Sequence, residues 1–173
     1  IHNGVHLGAG ASGEIDSVGM RLEGTYLWPD KSSALKAHLS AVLGLGYVIN
    51  ENTQVQFEQL YNGGAPNNLL MGLTLFSAGD LLQASEHVSG CSLSHQISAL
   101  VQSSLTLLWT WEKLSALLYP SLVISLSDEI DLLTGAMVSM GEKASGNDLL
   151  DINIGSEFGN YPHSFYMQLK AYF

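Results

Sequence analysis

Apolar and polar residues alternate with a period of two over long stretches of this chain, and this pattern limits the fold more than any other feature of the sequence. Between residues 101 and 112, the odd positions are Val, Ser, Leu, Leu, Trp and Trp, and the even positions are Gln, Ser, Thr, Leu, Thr and Glu. Because successive side chains of a strand point to opposite faces of a sheet, this alternation predicts a strand with one apolar face. The pattern recurs at 37–49, 52–62, 117–127, 130–141 and 163–173, and more weakly at 2–10, 15–28 and 86–97.

The predicted strands and their connections have the proportions of a membrane-spanning sheet. The strands run over about 10 to 14 residues, whereas globular strands have about 5 to 6 and strands tilted across a bilayer need roughly 9 to 11. Short polar turns at 48–52, 97–100 and 127–129 contrast with long polar segments at 61–84 and 141–162. Outer-membrane barrels combine short turns at one end with long loops at the other. We therefore expect an all-β fold, an antiparallel transmembrane β-barrel with an up-and-down meander, in a single domain over residues 1–173.

Composition excludes several other classes of protein. Charged residues make up 13% of the chain, against roughly 25% in an average soluble domain. Sixteen acidic and six basic residues give a net charge of −10, which lacks the basic footprint that nucleic-acid binding needs. The 46% of apolar residues is too high for intrinsic disorder, and the single cysteine, Cys91, allows no internal disulfide. The most apolar stretch, 105–126, contains Glu112, Lys113 and Pro120 and is therefore not a transmembrane helix.

The last ten residues, SFYMQLKAYF at 164–173, resemble the C-terminal signal strand of Gram-negative outer-membrane proteins. That strand ends in an aromatic residue and is read by the barrel-assembly machinery. Three further segments resemble porin-like barrels: EQLYNGG at 58–64, YPSL at 119–122 leading to SLSDEID at 125–131, and EFGNYP at 157–162. The resemblance covers 36–173 loosely and the final 60 residues well. It implies the bacterial outer membrane as location, contact with outer-membrane lipid, and an assembly signal formed by Phe165, Met167, Leu169, Ala171, Tyr172 and Phe173.

The strand count bears on whether the barrel is complete. If the last strand ends on the periplasmic side, as the resemblance implies, the long segments 62–84 and 141–162 are extracellular. Counting back from the last strand then gives nine strands, or eight if one weak strand is miscounted. Single-chain bacterial barrels have an even number of strands. We therefore expect the chain to be the C-terminal part of a larger barrel, completed by further strands upstream or by another protein chain. A complete eight-stranded barrel is the alternative.

Polar side chains on the face opposite the predicted lipid face are the candidate functional residues. The set expected to line the lumen is Arg21, Glu23, Lys36, His38, Gln54, Gln56, Glu58, Asp131, Gln168 and Lys170. These side chains either form a structural polar network in contact with water or set the ionic selectivity of a pore. Further acidic residues are expected in the outer loops: Asp80, Glu86, Glu142, Asp148, Asp151 and Glu157.

Aromatic residues are predicted to mark the two membrane interfaces, where Trp and Tyr rings are half in lipid and half in water. Trp28, Tyr61, Trp109 and Trp111 would lie near the extracellular strand ends, and Tyr47 and Phe173 near the periplasmic ends. The alternative is stacking of sugars on aromatic rings in the lumen, for which only Tyr119, Tyr166 and Tyr172 lie on the required face.

Three motifs in the sequence bear on catalytic or metal chemistry. Residues 8–13, GAGASG, match GxGxxG, but no helical pattern follows, which favours a glycine-rich turn between strands over a dinucleotide site. The six histidines lack zincin spacing, and His2 and His6 would lie too far apart along a strand, so no metal or cofactor is expected. Ser94 and His95 are strand neighbours that point to opposite faces, and no GxSxG motif occurs, so the chain is not expected to be an enzyme.

The resemblance and the pattern together favour a porin-like channel that allows passive diffusion of small polar solutes or ions. One alternative is a structural or partner-binding barrel, a sleeve or anchor for another protein without free channel activity. A small lipid-active enzyme barrel is a weaker third hypothesis.

Overall fold

The computed structural model describes residues 4–30, 35–145 and 153–173, so the expectations for His2, Asp148 and Asp151 lie outside the described residues. In the described part, nine strands form one sheet whose spatial order is the chain order. The strands are β1 (Gly4–Ile15), β2 (Val18–Pro29), β3 (His38–Asn50), β4 (Thr53–Asn62), β5 (His87–Ser98), β6 (Val101–Thr110), β7 (Ser115–Ser127), β8 (Ile130–Met140) and β9 (Ser164–Ala171).

The predicted all-β, up-and-down meander is confirmed. Every strand pairs antiparallel with its sequence neighbours, and the connections alternate between two-residue turns and longer segments. Within the described residues, β1 pairs with β2 and β9 pairs with β8, and these two end strands are not paired with each other. The sheet therefore has two free edges and does not close on itself.

The glycine-rich segment 8–13 is not a turn, which corrects the sequence-based expectation. It lies inside β1, where Gly10 is paired with Glu23 of β2. The chain reverses instead at Asp16 and Ser17, whose φ angles are 47° and 69°. Positive φ at both central residues is what a two-residue hairpin turn requires, and a short polar residue such as Asp tolerates it. Because the segment leads into another strand and not a helix, it does not form a dinucleotide-binding turn.

The connection between β4 and β5 contains a helix that the sequence analysis did not predict. Helix α1 spans Leu69–Ser77, and the Oδ1 of Asn68 caps it by accepting hydrogen bonds from Leu70 N at 2.9 Å and Met71 N at 3.4 Å. The capped segment is short and almost wholly apolar, so it lacks the polar stripe by which an amphipathic helix is recognised in sequence. Within the described residues, no helix has the length and apolarity needed to span a membrane.

The two faces of the sheet differ in polarity, as the period-two pattern predicts. The register joins apolar side chains into continuous rows across neighbouring strands, for example Met20 with Leu45 and Leu45 with Phe57. We call this side the apolar face. Large side chains exposed on it include Leu7, Leu22, Leu43, Leu93, Leu105, Phe165, Met167 and Leu169.

The opposite side, here called the polar face, carries mainly polar residues near the two-residue turns and a mixture of polar and apolar residues near the other strand ends. The apolar residues near these ends are covered by the long connections. Leu27 packs with Leu35, Leu75 and Leu81 in one small core. The second core consists of Val88, Leu117 and Phe158, surrounded by Leu60, Leu108, Tyr119, Met137 and Tyr161.

Candidate functional site

An ion pair crosses three strands on the polar face. Arg21 of β2 donates a hydrogen bond from Nη2 to Oε1 of Glu58 on β4 at 2.6 Å, and its Nε lies 3.6 Å from Oε1 of Glu23. Gly44 of β3 stands between the two partners in the register. Because glycine has no side chain, the guanidinium can extend over β3 to the carboxylate. The side chains of Arg21 and Glu58 are about half exposed, so the pair stabilises the fold by at most about 1 kcal/mol.

A second polar cluster lies on the same face between β7 and β9. Oδ1 of Asp131 accepts a hydrogen bond from Ser125 Oγ at 2.8 Å, and Oδ2 accepts one from Tyr172 Oη at 3.3 Å. Lys170 is the direct register partner of Asp131. This end of the sheet therefore presents a hydrogen-bonded carboxylate beside an exposed ammonium group.

Ser94 and His95 do not form a nucleophile–base pair. Ser94 Oγ accepts a hydrogen bond from Gln102 Nε2 at 3.1 Å on the polar face. The ring of His95 is on the apolar face, where its Nδ1 lies 2.9 Å from Thr53 Oγ1. The two side chains thus point to opposite sides of β5, as their adjacency predicts.

Most of the side chains predicted to line a lumen lie on one face of the sheet. The register places Arg21, Glu23, His38, Gln54, Gln56, Glu58, Asp131, Gln168 and Lys170 together on the polar face. Lys36 precedes β3, and its carbonyl oxygen accepts a hydrogen bond from His38 Nδ1 at 2.8 Å. Lys36 is therefore not part of the strand ladder. That these residues face a water-filled lumen stays a prediction.

The connection between β8 and β9 is pinned to the polar face, a feature that the sequence analysis missed. Phe158 is only 1% exposed, and its backbone N donates to Ser115 Oγ at 3.2 Å. Ser139 Oγ donates to the carbonyl oxygen of Tyr161 at 2.7 Å, and the rings of Phe158 and Tyr161 are 6.0 Å apart. The sequence does contain an indication of this contact. Apolar residues stand at polar-face positions near these strand ends, where a covering segment is needed: Leu60, Val88, Leu108 and Leu117. We call the segments 63–86 and 153–163 together the loop cap.

Glu157 lies in the long β8–β9 connection, as expected, and it is buried inside the loop cap, which the sequence analysis did not predict. It is 4% exposed, and its Oε1 accepts a hydrogen bond from Ala84 N at 3.3 Å, which links the two segments of the cap. Its Oε2 is buried and has no hydrogen-bond partner in the described part of the chain. Burial raises the pKa of the Glu157 carboxyl above its usual range, interactions with Ser85 and with the backbone of Ala84 lower it in part, and the nearby Glu112 carboxylate raises it. Burial, followed by the charge of Glu157, likewise raises the pKa of the Tyr161 phenol.

Aromatic side chains gather at the strand ends that carry the long connections. Tyr26 and Trp28 lie on the apolar face of β2 with ring centroids 4.3 Å apart. The ring centroids of Trp109 and Trp111 are 6.2 Å apart, and Trp111 Nε1 donates to Ser89 Oγ at 2.8 Å. The rings thus lie at the strand ends to which the sequence analysis assigned them, and the location of these ends at a membrane interface stays a prediction.

The positions of Tyr119, Tyr166 and Tyr172 give little support to the alternative that sugars stack on aromatic rings of the polar face. Tyr119 packs against the core under the loop cap, and Tyr172 is bonded to Asp131. Tyr166 is the polar-face partner of Gly135 in the β8–β9 ladder. The three rings therefore do not form one continuous stacking surface.

The structure has one cavity between the polar face and the loop cap and another among the connections. One, of about 330 Å³, is bounded by strands β1 to β4 and the segment after α1, and is lined by His6, Glu23, Thr25, His38, Asn62 and Asp80 among others. The other, of about 610 Å³, lies among the connections and is lined by Asn67, Asn68, Glu86, Glu112, Lys113, Asn153 and Glu157 among others. Both have polar groups at their walls, so either can hold water or a small polar solute.

Comparison with protein-family models, with characterised proteins and with solved structures gave no match.

Proposed function

We propose that this chain forms part of the wall of an outer-membrane β-barrel that acts as a porin-like channel for small polar solutes or ions. The observation that carries the proposal is the apolar face, which crosses the whole sheet and exposes large apolar side chains on every strand except β4. Monomeric soluble proteins rarely expose a continuous apolar surface of more than a few hundred Å². In a bilayer the same surface is solvated by lipid chains, and the alternation of apolar and polar residues is the pattern of a barrel wall.

The free edges of the sheet also support a barrel. The outer backbone groups of β1 and β9 lack strand partners in the described structure. In lipid, each unsatisfied N–H or C=O group costs several kcal/mol, so a sheet in the membrane must be closed. We propose that additional strands, from the same polypeptide or from another chain, pair with these edges.

Strand β9 has the features expected of an assembly signal. Phe165, Met167 and Leu169 are 73%, 68% and 63% exposed on the apolar face. Ala171 continues this row and ends the strand, and Tyr172 and Phe173 follow it. An exposed edge strand with a regular apolar row can be read by another protein through β-strand addition. This arrangement supports recognition by the barrel-assembly machinery and location in the outer membrane.

Charged groups are concentrated on the half of the polar face that the loop cap leaves open. The Arg21–Glu58 pair and the pair of positions Asp131 and Lys170 put both signs of charge there. In a closed barrel this half would form the wider mouth, and the loop cap would narrow the other end. Fixed charges along such a path bias which ions enter.

The rival function is a structural or partner-binding barrel without free passage. The observation in its favour is the apolar core around Phe158, which holds the loop cap against the polar face. If the cap fills the lumen completely, the barrel acts as a sleeve or an anchor for another protein.

Recording from planar bilayers separates the two functions. The protein is purified in detergent, its folding is verified by heat-modifiable gel mobility, and it is then added to the bilayer. Discrete ohmic current steps support the channel. Persistent silence from folded protein contradicts the channel and favours the sleeve.

Ion selectivity provides a more specific test of the polar face. Lys170→Gln removes one positive charge from the proposed lumen, and we expect the reversal potential in a salt gradient to shift toward cation selectivity. Lys143→Gln is the matched control, because it removes the same charge from the connection after β8. An unchanged reversal potential for Lys170→Gln would refute its role in lining the pore.

A further inference from the structure

Three potential metal ligands converge at the start of β5, outside the polar face described above. They are the carboxylates of Glu86 and Glu112 and the imidazole of His87. Glu86 and His87 are sequence neighbours at the N-terminal end of β5, and Glu112 follows the adjacent strand β6. One ligand atom from each lies within 4.8 Å of the other two. His87 and Glu112 are 25 positions apart in the chain, so the cluster brings the end of the β4–β5 connection next to the β6–β7 connection.

Backbone hydrogen bonds hold these three residues in place. His87 N donates to Glu112 Oε1 at 2.7 Å, and Trp111 N donates to the carbonyl oxygen of His87 at 3.3 Å. The carbonyl oxygen of Glu86 accepts a hydrogen bond from Asn62 N at 2.7 Å. The protein therefore holds the backbone of Glu86 and His87 and the carboxylate of Glu112 in place before any ligand is bound, which lowers the entropic cost of binding.

A separate observation is that the carboxylates of this region have no ion-pair partner among the described residues. Glu86 and Glu112 line the same 610 Å³ cavity as Glu157, whose buried Oε2 has no hydrogen-bond partner in the described part of the chain. Lys113 also lines the cavity, but its Nζ donates to the carbonyl oxygen of Gly155 at 3.0 Å. Among the described residues, no Lys or Arg side chain forms an ion pair with any of the three glutamates. Three carboxylates around one cavity without a paired cation are electrostatically incomplete.

We propose that Glu86, His87 and Glu112 bind a divalent transition-metal ion of the Zn²⁺ class, with Glu157 as the neighbouring buried carboxylate that the ion's charge compensates. Zn²⁺ accepts both imidazole nitrogen and carboxylate oxygen as ligands, so the three side chains provide three of the four ligands of a tetrahedral site. The ligands of a tetrahedral Zn²⁺ ion lie about 3.3 Å from one another, so small side-chain rotations are enough to close the present spacing. The imidazole distinguishes this site from one for Ca²⁺, which prefers oxygen ligands only.

A bound ion would connect the β4–β5 and β6–β7 connections at the rim of the sheet. Since Glu157 belongs to the β8–β9 connection, the ion would also stabilise the contact between the two segments of the loop cap. This inference does not depend on channel activity, because it concerns binding to the folded protein alone.

Isothermal titration of the folded, tag-free protein in detergent with ZnCl₂ tests the proposal. We expect saturable binding of one equivalent, weakened about tenfold or more by His87→Ala and by Glu112→Gln. Glu86→Gln is a third variant. It leaves the His87–Glu112 hydrogen bond intact, so a loss of Zn²⁺ binding in it cannot be attributed to the loss of that bond. Glu51→Gln and His95→Ala, at the opposite end of the sheet, are the matched controls and should bind Zn²⁺ as the unaltered protein does.

Three results would contradict the proposal. The first is the lack of a saturable Zn²⁺ site in protein whose heat-modifiable mobility shows that it is folded. The second is a Zn²⁺ affinity that does not change in folded His87→Ala and Glu86→Gln. Binding of Ca²⁺ in preference to Zn²⁺ with no effect of His87→Ala would equally contradict the assigned ligand set.

Discussion

Replacement of Phe158 by alanine should release the β8–β9 connection from the polar face without unfolding the sheet. Phe158 is 1% exposed and fills the core formed with Val88 and Leu117. Truncation of a buried Phe to Ala costs about 3 to 5 kcal/mol, through lost burial and the cavity that remains. Because the segment 153–163 is held to the sheet mainly by this core and a few hydrogen bonds, we expect the loss to appear as local opening of that segment.

Hydrogen exchange measures this opening directly. The amides of Ser156 and Phe158 donate to Glu142 O at 2.9 Å and Ser115 Oγ at 3.2 Å, so both should be protected in the unaltered protein. A loss of 3 to 5 kcal/mol would accelerate their exchange by a factor between about 10² and several thousand, up to the limit set by the segment's own opening energy. Exchange in the strands should not change.

Phe76→Ala is the matched control for this experiment. It removes the same side chain from helix α1, where Phe76 is 37% exposed and lies outside both cores. Exchange at Ser156 and Phe158 should be unaffected. If Phe158→Ala left their exchange rates unchanged, or if it accelerated exchange equally throughout the sheet, the loop cap would not be a separate unit held by Phe158.

Two further perturbations have calculable directions. Burial raises the pKa of Glu157, so the folded protein binds more protons than the unfolded chain at pH values between the unfolded and folded pKa. The contribution of this residue therefore lowers the free energy of unfolding as the pH rises through that interval. Glu157→Gln should remove this contribution and raise stability at neutral pH, measured by urea unfolding across a pH series; a larger loss of stability with rising pH in the variant would refute it. A double-mutant cycle with Arg21→Ala and Glu58→Gln should give a coupling energy of about 0.2 to 1 kcal/mol that decreases with added salt, and a coupling above about 2 kcal/mol would contradict the half-exposed geometry.

The strands and their order could be predicted from the sequence because alternation reports directly on which face each residue occupies. The predicted turn at 127–129 is confirmed by the β7–β8 hairpin, since the pattern shifts there over only two residues. The first hairpin was the weakest prediction. In β1 the glycines reduce the contrast in polarity between the two faces, so the sequence favours a turn at residues 8–13. The alternation of Leu7, Ala9 and Ala11 nevertheless continues through this segment.

The loop cap and the ligand cluster depend on contacts between segments that are distant in the chain. Glu157 gives no sign in its local sequence that it is buried, because its burial depends on the β4–β5 connection folding over it. The proposed metal ligands were overlooked for a related reason. The spacing of histidines along the chain indicates only ligands that are close in sequence. Glu112 meets Glu86 and His87 only through the pairing of β5 with β6.

The central claim is that one face of the sheet contacts lipid and the other faces water. Four single-cysteine variants along β4, at Gln54, Val55, Gln56 and Phe57 in a Cys91→Ser background, can be spin-labelled and reconstituted into liposomes. Electron paramagnetic resonance then compares the access of each label to oxygen, which partitions into lipid, and to a water-soluble nickel complex. We predict an alternation of period two, with Val55 and Phe57 favouring oxygen and Gln54 and Gln56 favouring nickel. High access to nickel at all four positions would contradict the claim.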